Sequence, residues 1–218
     1  MAQATDDPWT QSTYPRGSAA FDRVIFFSDA VFAIALTLVA VEIGVPEIED
    51  VGSPGELWTA LLAKWPTLLA YAFTFFWIAF YWRANHRFTN ALSGMNGRYI
   101  AAVLAYLAFV ALLPFPAATL GEYSSNPVAL AFFAVFAATI SALEVVLFVV
   151  ADRAGLFVRP VTQAQRRNAI LASLAPVAAF LVSVPLAFVS VWLAVASWLV
   201  LAAALGWLVN RRIAPATW

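Results

Sequence analysis

The chain has 218 residues, 63% of them hydrophobic and 11% charged, and its twelve basic and twelve acidic side chains leave a formal net charge of zero. A soluble domain is about half apolar and a quarter charged, so this composition indicates an all-α, integral membrane protein. Cysteine is absent, which excludes disulfides, thiolate metal sites and thiol catalysis, and no basic tract is long enough to suggest nucleic acid as a partner.

Residues 1–20, MAQATDDPWTQSTYPRGSAA, are polar, with two acids before any base and no apolar core. They lack the build of a secretory signal and are expected to form a disordered cytoplasmic tail. A helix needs about 20 apolar residues to cross a hydrocarbon core of about 30 Å. Six runs of that kind follow, at about 23–43, 57–82, 98–120, 128–150, 169–187 and 190–209. The last two are continuous in hydropathy, but 169–209 is about twice the length one crossing uses, and Ser183 and Pro185 offer a place to turn. No second copy of the FSD stretch marks an internal repeat, so residues 21–212 are expected to form one six-helix transmembrane domain.

Arginine placement orients these spans, because short loops rich in Arg and Lys stay cytoplasmic. Arg16 and Arg23 precede span one, and Arg83, Arg87 and Arg98 separate spans two and three. Arg153, Arg159, Arg166 and Arg167 separate spans four and five, and Arg211 and Arg212 follow span six. The opposite loops carry Glu47, Glu49, Asp50, Glu56 and Glu122, with Lys64 as the one basic exception. Both termini are therefore expected in the cytoplasm, and the acidic outer loops either draw cations or are ordinary solvated loops.

Ionisable groups inside spans are costly and mark candidate sites. Asp29 lies about 6 Å inside span one, where it serves either a site or a buried hydrogen-bond acceptor, and Ser28 beside it can bond a carbonyl or a neighbouring helix. Glu42 is near enough to the end of its span to reach water, and Glu144 is deeper in span four. His86, the only histidine, follows Trp82 and Asn85 without a partner at metal-ligand spacing, which makes it a hydrogen-bonded brace rather than a metal ligand. No nucleophile elbow, phosphate loop or HExxH stretch is present, so no enzyme activity, cofactor or resident metal is expected.

Ile34, Leu38 and Val41 recur at i, i+4 and i+7 and form an apolar stripe on span one, with Thr37 on the same face. By spacing alone such a stripe is helix packing as readily as a pore lining.

The run from Arg23 through Phe27, Ser28 and Asp29, RxxxFSD, followed by AVFAIALTLVAVEI, resembles the signature of bacterial members of the transmembrane protein 175 family, the lysosomal-type potassium channels. The six-span count, and an aromatic second span ending in Tyr81, Trp82, Arg83, Ala84, Asn85 and His86, are similar to that family as well. The resemblance implies a potassium-preferring channel: a homotetramer in the lipid of a bacterial cytoplasmic membrane, with first helices around the axis and no re-entrant carbonyl filter. It implies a pore constriction at Ile34, further apolar rings at Leu38 and Val41, and a selectivity layer at Thr37. Arg23, Phe27, Ser28 and Asp29 would then form a structural network with Trp82 and His86. Where the family has paired histidines this chain has Asn85 and His86, and asparagine carries no charge at pH 7. The alternatives are a small proton-coupled secondary transporter working through Glu144 or Asp29, and a scaffold that transports nothing.

Overall fold

The computed structural model describes residues 13–198 and 200. Among these residues it is all-α apart from one small two-stranded pairing and an isolated bridge between Leu92 and Phe157. Helix α1 is Ala19–Val41, α2 Pro54–Ala63, α3 Trp65–Asn90, α4 Gly97–Leu112, α5 Pro114–Glu122, α6 Pro127–Arg153 and α7 Gln163–Val189. Strand β1 (Tyr14–Pro15) pairs antiparallel with β2 (Gly94–Met95).

Caps set most helix starts. The side chains of Ser18, Ser53, Asn96 and Asn126 each accept a backbone N–H from the first turn of the helix that follows, and Thr162 and Gln165 form a reciprocal capping box on α7. The Ser18 cap starts α1 four residues before the expected span, and the helix stops at Val41, with Gly44 following at φ +63°. Only glycine adopts that left-handed conformation without steric cost.

Spans two and three are broken rather than straight. Helices α2 and α3 meet at Lys64 with a bend of 44°. Pro66 has no N–H for the ladder, and its ring collides with the carbonyl of residue 62, which interrupts the helix there. Pro114 does the same between α4 and α5, where the Leu113 N–H bonds the Val110 carbonyl in a tighter turn at 3.2 Å. Helix α3 also runs eight residues beyond the expected end at 82, because the apolar run ends with the hydrocarbon while the helix continues through Arg83 and Arg87.

Helix α7 passes through Ser183 and Pro185, so these residues do not make the turn; the break falls at Ser190, whose backbone is extended, at the boundary between the expected spans 169–187 and 190–209. Residues 191–198 are again helical, and the rest of the expected sixth span lies outside the described residues. Among the described residues four helical segments are long and apolar enough to cross a membrane: α1, α4 continued by α5, α6, and α7; the bent α2–α3 pair makes a fifth. The chain is thus a multi-pass membrane protein.

Helix α6 forms the centre, packed against α4, α5 and α7, while α1 lies against α3, α4 and α5. Phe73, Phe133 and Phe180 from α3, α6 and α7 surround Trp198, whose ring stacks on Phe73 at 5.0 Å, and Trp77 packs behind them on Phe180. The helical residues after Ser190 are thereby packed into the core.

Residues 1–12 of the expected tail lie outside the described residues, but 13–20 are structured. The Arg16 N–H bonds the Ser93 carbonyl at 2.8 Å, and the Arg16 guanidinium bonds the Asn90 carbonyl at 2.7 Å. Their unpaired backbone groups found partners in the α3–α4 turn, which a polar composition does not reveal. Ser93 in turn donates its N–H to Leu156 at 2.7 Å, so the start of α1, the end of α3, the start of α4 and the end of α6 meet at one end of the bundle.

Candidate functional site

Helix α1 divides sharply. Phe21, Ser28, Phe32, Ala35 and Val39 are buried and form one stripe against the bundle. Their spacing of three, four and seven residues places them on a single face. Ile34, Thr37, Leu38 and Val41 share a different face, and all four are exposed in the single chain: Ile34 at 57%, Leu38 at 41% and Val41 at 72%. These are the residues the motif points to, and they stand together along one side. Phe27 is also outside the core, 51% exposed.

Thr37 donates its hydroxyl hydrogen to the Ile34 carbonyl at 2.8 Å. The donor of this hydroxyl is therefore used within the helix, and its oxygen keeps lone-pair capacity for a ligand on the open face. The arrangement suits a cation better than an anion.

At the other end of the motif the side chains diverge. Trp82 Nε1 donates to Asp29 Oδ1 at 2.9 Å, tying α1 to α3, and the His86 ring stacks on Trp82 at 5.6 Å. This bond runs between side chains of two helices and so fixes one against the other. Asp29, Trp82 and His86 thus come together. Ser28 is buried on the same helix but donates to the Val24 carbonyl at 2.9 Å, within α1 rather than across helices. Arg23 lines a cleft of about 500 Å³ with Tyr14, Ala19, Ala20, Val24 and Ile100, away from the Asp29–Trp82 bond.

A second polar group lies in the interior. The Tyr81 hydroxyl lies 3.0 Å from the Ala137 carbonyl, to which it donates, and 2.9 Å from the Ser141 hydroxyl. Tyr106 donates to Glu144 Oε1 at 3.2 Å, and its ring packs against Phe32 of α1. These bonds join α3 and α4 to α6, and burial makes them expensive to break. Sequence reasoning singled out Glu144 but not Tyr106 or Ser141. Their signal was present: Ser141 stands three residues before Glu144, on one face of the same helix, and Tyr106 is a hydroxyl inside an apolar run.

At the opposite end of α1, Lys64 Nζ donates to the Ile43 carbonyl at 3.1 Å. In the neighbouring acidic loop the Glu56 carboxylate accepts the Asp50 N–H at 3.1 Å, and Asp50 accepts the Gly52 N–H at 2.9 Å. Two of these acids, for which cation attraction and an ordinary loop role were both open, are thus engaged in shaping their own loop. Among the described residues the one ion pair is Arg166 with Asp152, at 2.7 Å.

Residues 23–114 match the family model described as endosomal/lysosomal potassium channel TMEM175. A protein named as a potassium channel from Chamaesiphon minutus is 34% identical over 185 residues, which cover 83% of this chain and 90% of that one. Another potassium channel, from Streptomyces collinus, is 40% identical over 101 residues, covering 46% of this chain and 48% of its own. The crystal structure of a lysosomal potassium-selective channel TMEM175 homolog from Chamaesiphon minutus superposes with a TM-score of 0.71 at 29% identity, over 88% of this chain and all of the other. The potassium channel MtTMEM175, crystallised with a nanobody fusion, shares the fold at 14% identity, with a TM-score of 0.62 over 93% of this chain and 98% of its own.

Proposed function

This chain belongs to the TMEM175 potassium-channel family, and from that premise we propose that it is a potassium-preferring cation channel. It works as a homotetramer in the lipid of a bacterial cytoplasmic membrane, with α1 of each subunit lining the pore. The observation that carries this reading is the uncovered stripe Ile34, Thr37, Leu38 and Val41, opposite a stripe of α1 that is entirely core. Four such stripes around an axis bury each other and leave a narrow apolar path.

In this arrangement Ile34 forms the narrowest ring, and Leu38 and Val41 form the next ones outward. An apolar ring gates by dewetting, since water and a hydrated ion lose partners inside it. Thr37 contributes four hydroxyl oxygens, their hydrogens already committed to the Ile34 carbonyls, as the polar layer between the apolar rings. The chain contains no TVGYG stretch, so selection does not run through a carbonyl cage. Asp29, held by Trp82 and supported by His86, braces α1 and does not bind the ion. Ser28 and Phe27 shape the same end of the helix, and Arg23 stands at its inner entrance.

The channel domain spans residues 21–212 with six crossings, and both termini lie in the cytoplasm. Support for the orientation comes from the arginine-rich loops and from the backbone bonds that gather the α1 start, the α3–α4 turn and the α6 end at one side. The sixth crossing begins at the helical residues 191–198.

Potassium flux into proteoliposomes, measured beside sodium and proton gradients, tests the proposal. The expected result is passive, potassium-preferring flux, and Ile34→Asn raises conductance and weakens selectivity in planar bilayers. Absence of potassium flux from well-folded tetramers overturns the reading. Saturable uphill accumulation driven by protons would replace it with a transporter built around Glu144.

A further inference from the structure

Lys64 is the only lysine in the chain and the one basic residue on the side where the loops are otherwise acidic. Its position in the fold explains why it is tolerated there. It occupies the break between α2 and α3, at the point of their 44° bend, and its ammonium reaches back to the carbonyl of Ile43 at 3.1 Å. Ile43 lies just past the C-cap of α1, two residues beyond Val41.

The last turn of a helix presents carbonyl oxygens with no partner in the ladder and carries the negative end of the helix dipole. Helix α1 has no basic residue of its own in that turn. The charge arrives from another element, across twenty-one positions of sequence. Gly44, beside it, is held at φ +63°, and a Cβ there would contact Lys64 Nζ at 3.7 Å, so the chain end and the ammonium are packed together. Asp50 and Glu56 bond backbone amides within their own loop, and Lys64 forms no ion pair among the described residues.

We propose that Lys64 is a positioning residue for conduction: its ammonium fastens the outer end of α1 to the α2–α3 elbow and so sets the separation of the Val41 side chains around the pore. The claim on conduction rests on α1 being the pore helix; the claim on the fastening does not. A side chain acting this way alters the pore through Val41 without touching the ion.

The absence of cysteine makes a clean test available, because a nitroxide on Glu42→Cys reports the end of α1 alone. The label is compared in otherwise native protein, Lys64→Met and Lys64→Arg, and the potassium/sodium reversal potential is measured on the same three proteins without the label. Lys64→Met is expected to lose the immobilised spectral component and to shift the reversal potential towards zero, and Lys64→Arg is expected to restore both. An unchanged spectrum in Lys64→Met overturns the fastening, and a mobile label with an unchanged reversal potential overturns the effect on conduction. A native protein without potassium current defeats the pore reading and the conduction claim together, while the spectrum still decides the fastening on its own.

Discussion

Helices α1 and α6 are alike in composition and opposite in what they do with it. Both are long, apolar and able to cross a membrane, yet 39% of the apolar 18-residue stretch of α6 is buried within the chain against 22% for that of α1. Helix α6 spends its small residues, Ala134, Ala137, Ala138 and Ser141, on close approach to its neighbours, and places Phe133 in the aromatic cluster. Small residues let helices pack closely where lipid offers no hydrophobic penalty for separation. Helix α1 commits one stripe to the bundle and leaves its most regular apolar stripe uncovered. In a membrane protein hydropathy therefore identifies a span but does not distinguish a residue that holds the subunit together from one that awaits other subunits.

The contrast can be tested by substitution. Phe133→Ala, at the centre of α6, is expected to cost about 3–5 kcal/mol and to lower thermal stability in detergent more than any change on α1. A tolerated Phe133→Ala would erase the difference between the two helices. Tyr81→Phe removes the hydroxyl that serves both the Ala137 carbonyl and Ser141, at a cost of about 1–3 kcal/mol read from denaturation midpoints. Trp82→Phe removes the donor to Asp29 and is expected to cost no more than about 1–2 kcal/mol, since this bond is more accessible to water. It should loosen α1 against α3, seen as faster hydrogen exchange in the first half of α1. Ile34→Asn should shift subunit stability by only about 0.5 kcal/mol while changing ion flux, which separates function from folding on the uncovered stripe. A collapse of the subunit with Ile34→Asn would place this residue in the core and break the comparison from the other side.

Five of the expected spans coincide with helical segments because an apolar run of membrane length has few alternatives, and the bounds agree best where caps and prolines lie at the run ends. Asn126 with Pro127 marks the start of α6 plainly. Breaks inside runs were harder to see, because hydropathy passes over Pro66 and Pro114 without interruption while the backbone does not. Ser183 and Pro185 show the opposite case: the boundary expected at 187–190 falls at Ser190, but the two residues offered as its turn lie inside the helix. A proline inside a membrane helix is accommodated by its neighbours, and α7 continues past Pro185 to Val189.

The candidate site was legible in part. The shared face of Ile34, Thr37, Leu38 and Val41 follows from helical periodicity, and the Asp29–Trp82 bond joins two residues already singled out. The direction of each polar side chain did not follow. Ser28 turns to its own helix and Arg23 to a cleft beside Tyr14, because local carbonyls and neighbouring loops compete with the partners that spacing suggests.

The pairing of Tyr14–Pro15 with Gly94–Met95 has a mechanical consequence. Gly94 lies so close to the opposing strand that an added Cβ would stand 2.8 Å from the Tyr14 carbonyl oxygen, leaving the two strands almost no slack. A force applied to the chain ahead of residue 14 would be borne first by this clasp and passed into the α3–α4 turn, and only afterwards into α1. The amino-terminal segment is thus anchored to the frame of the subunit, and it makes a poor lever for moving the helix that follows it.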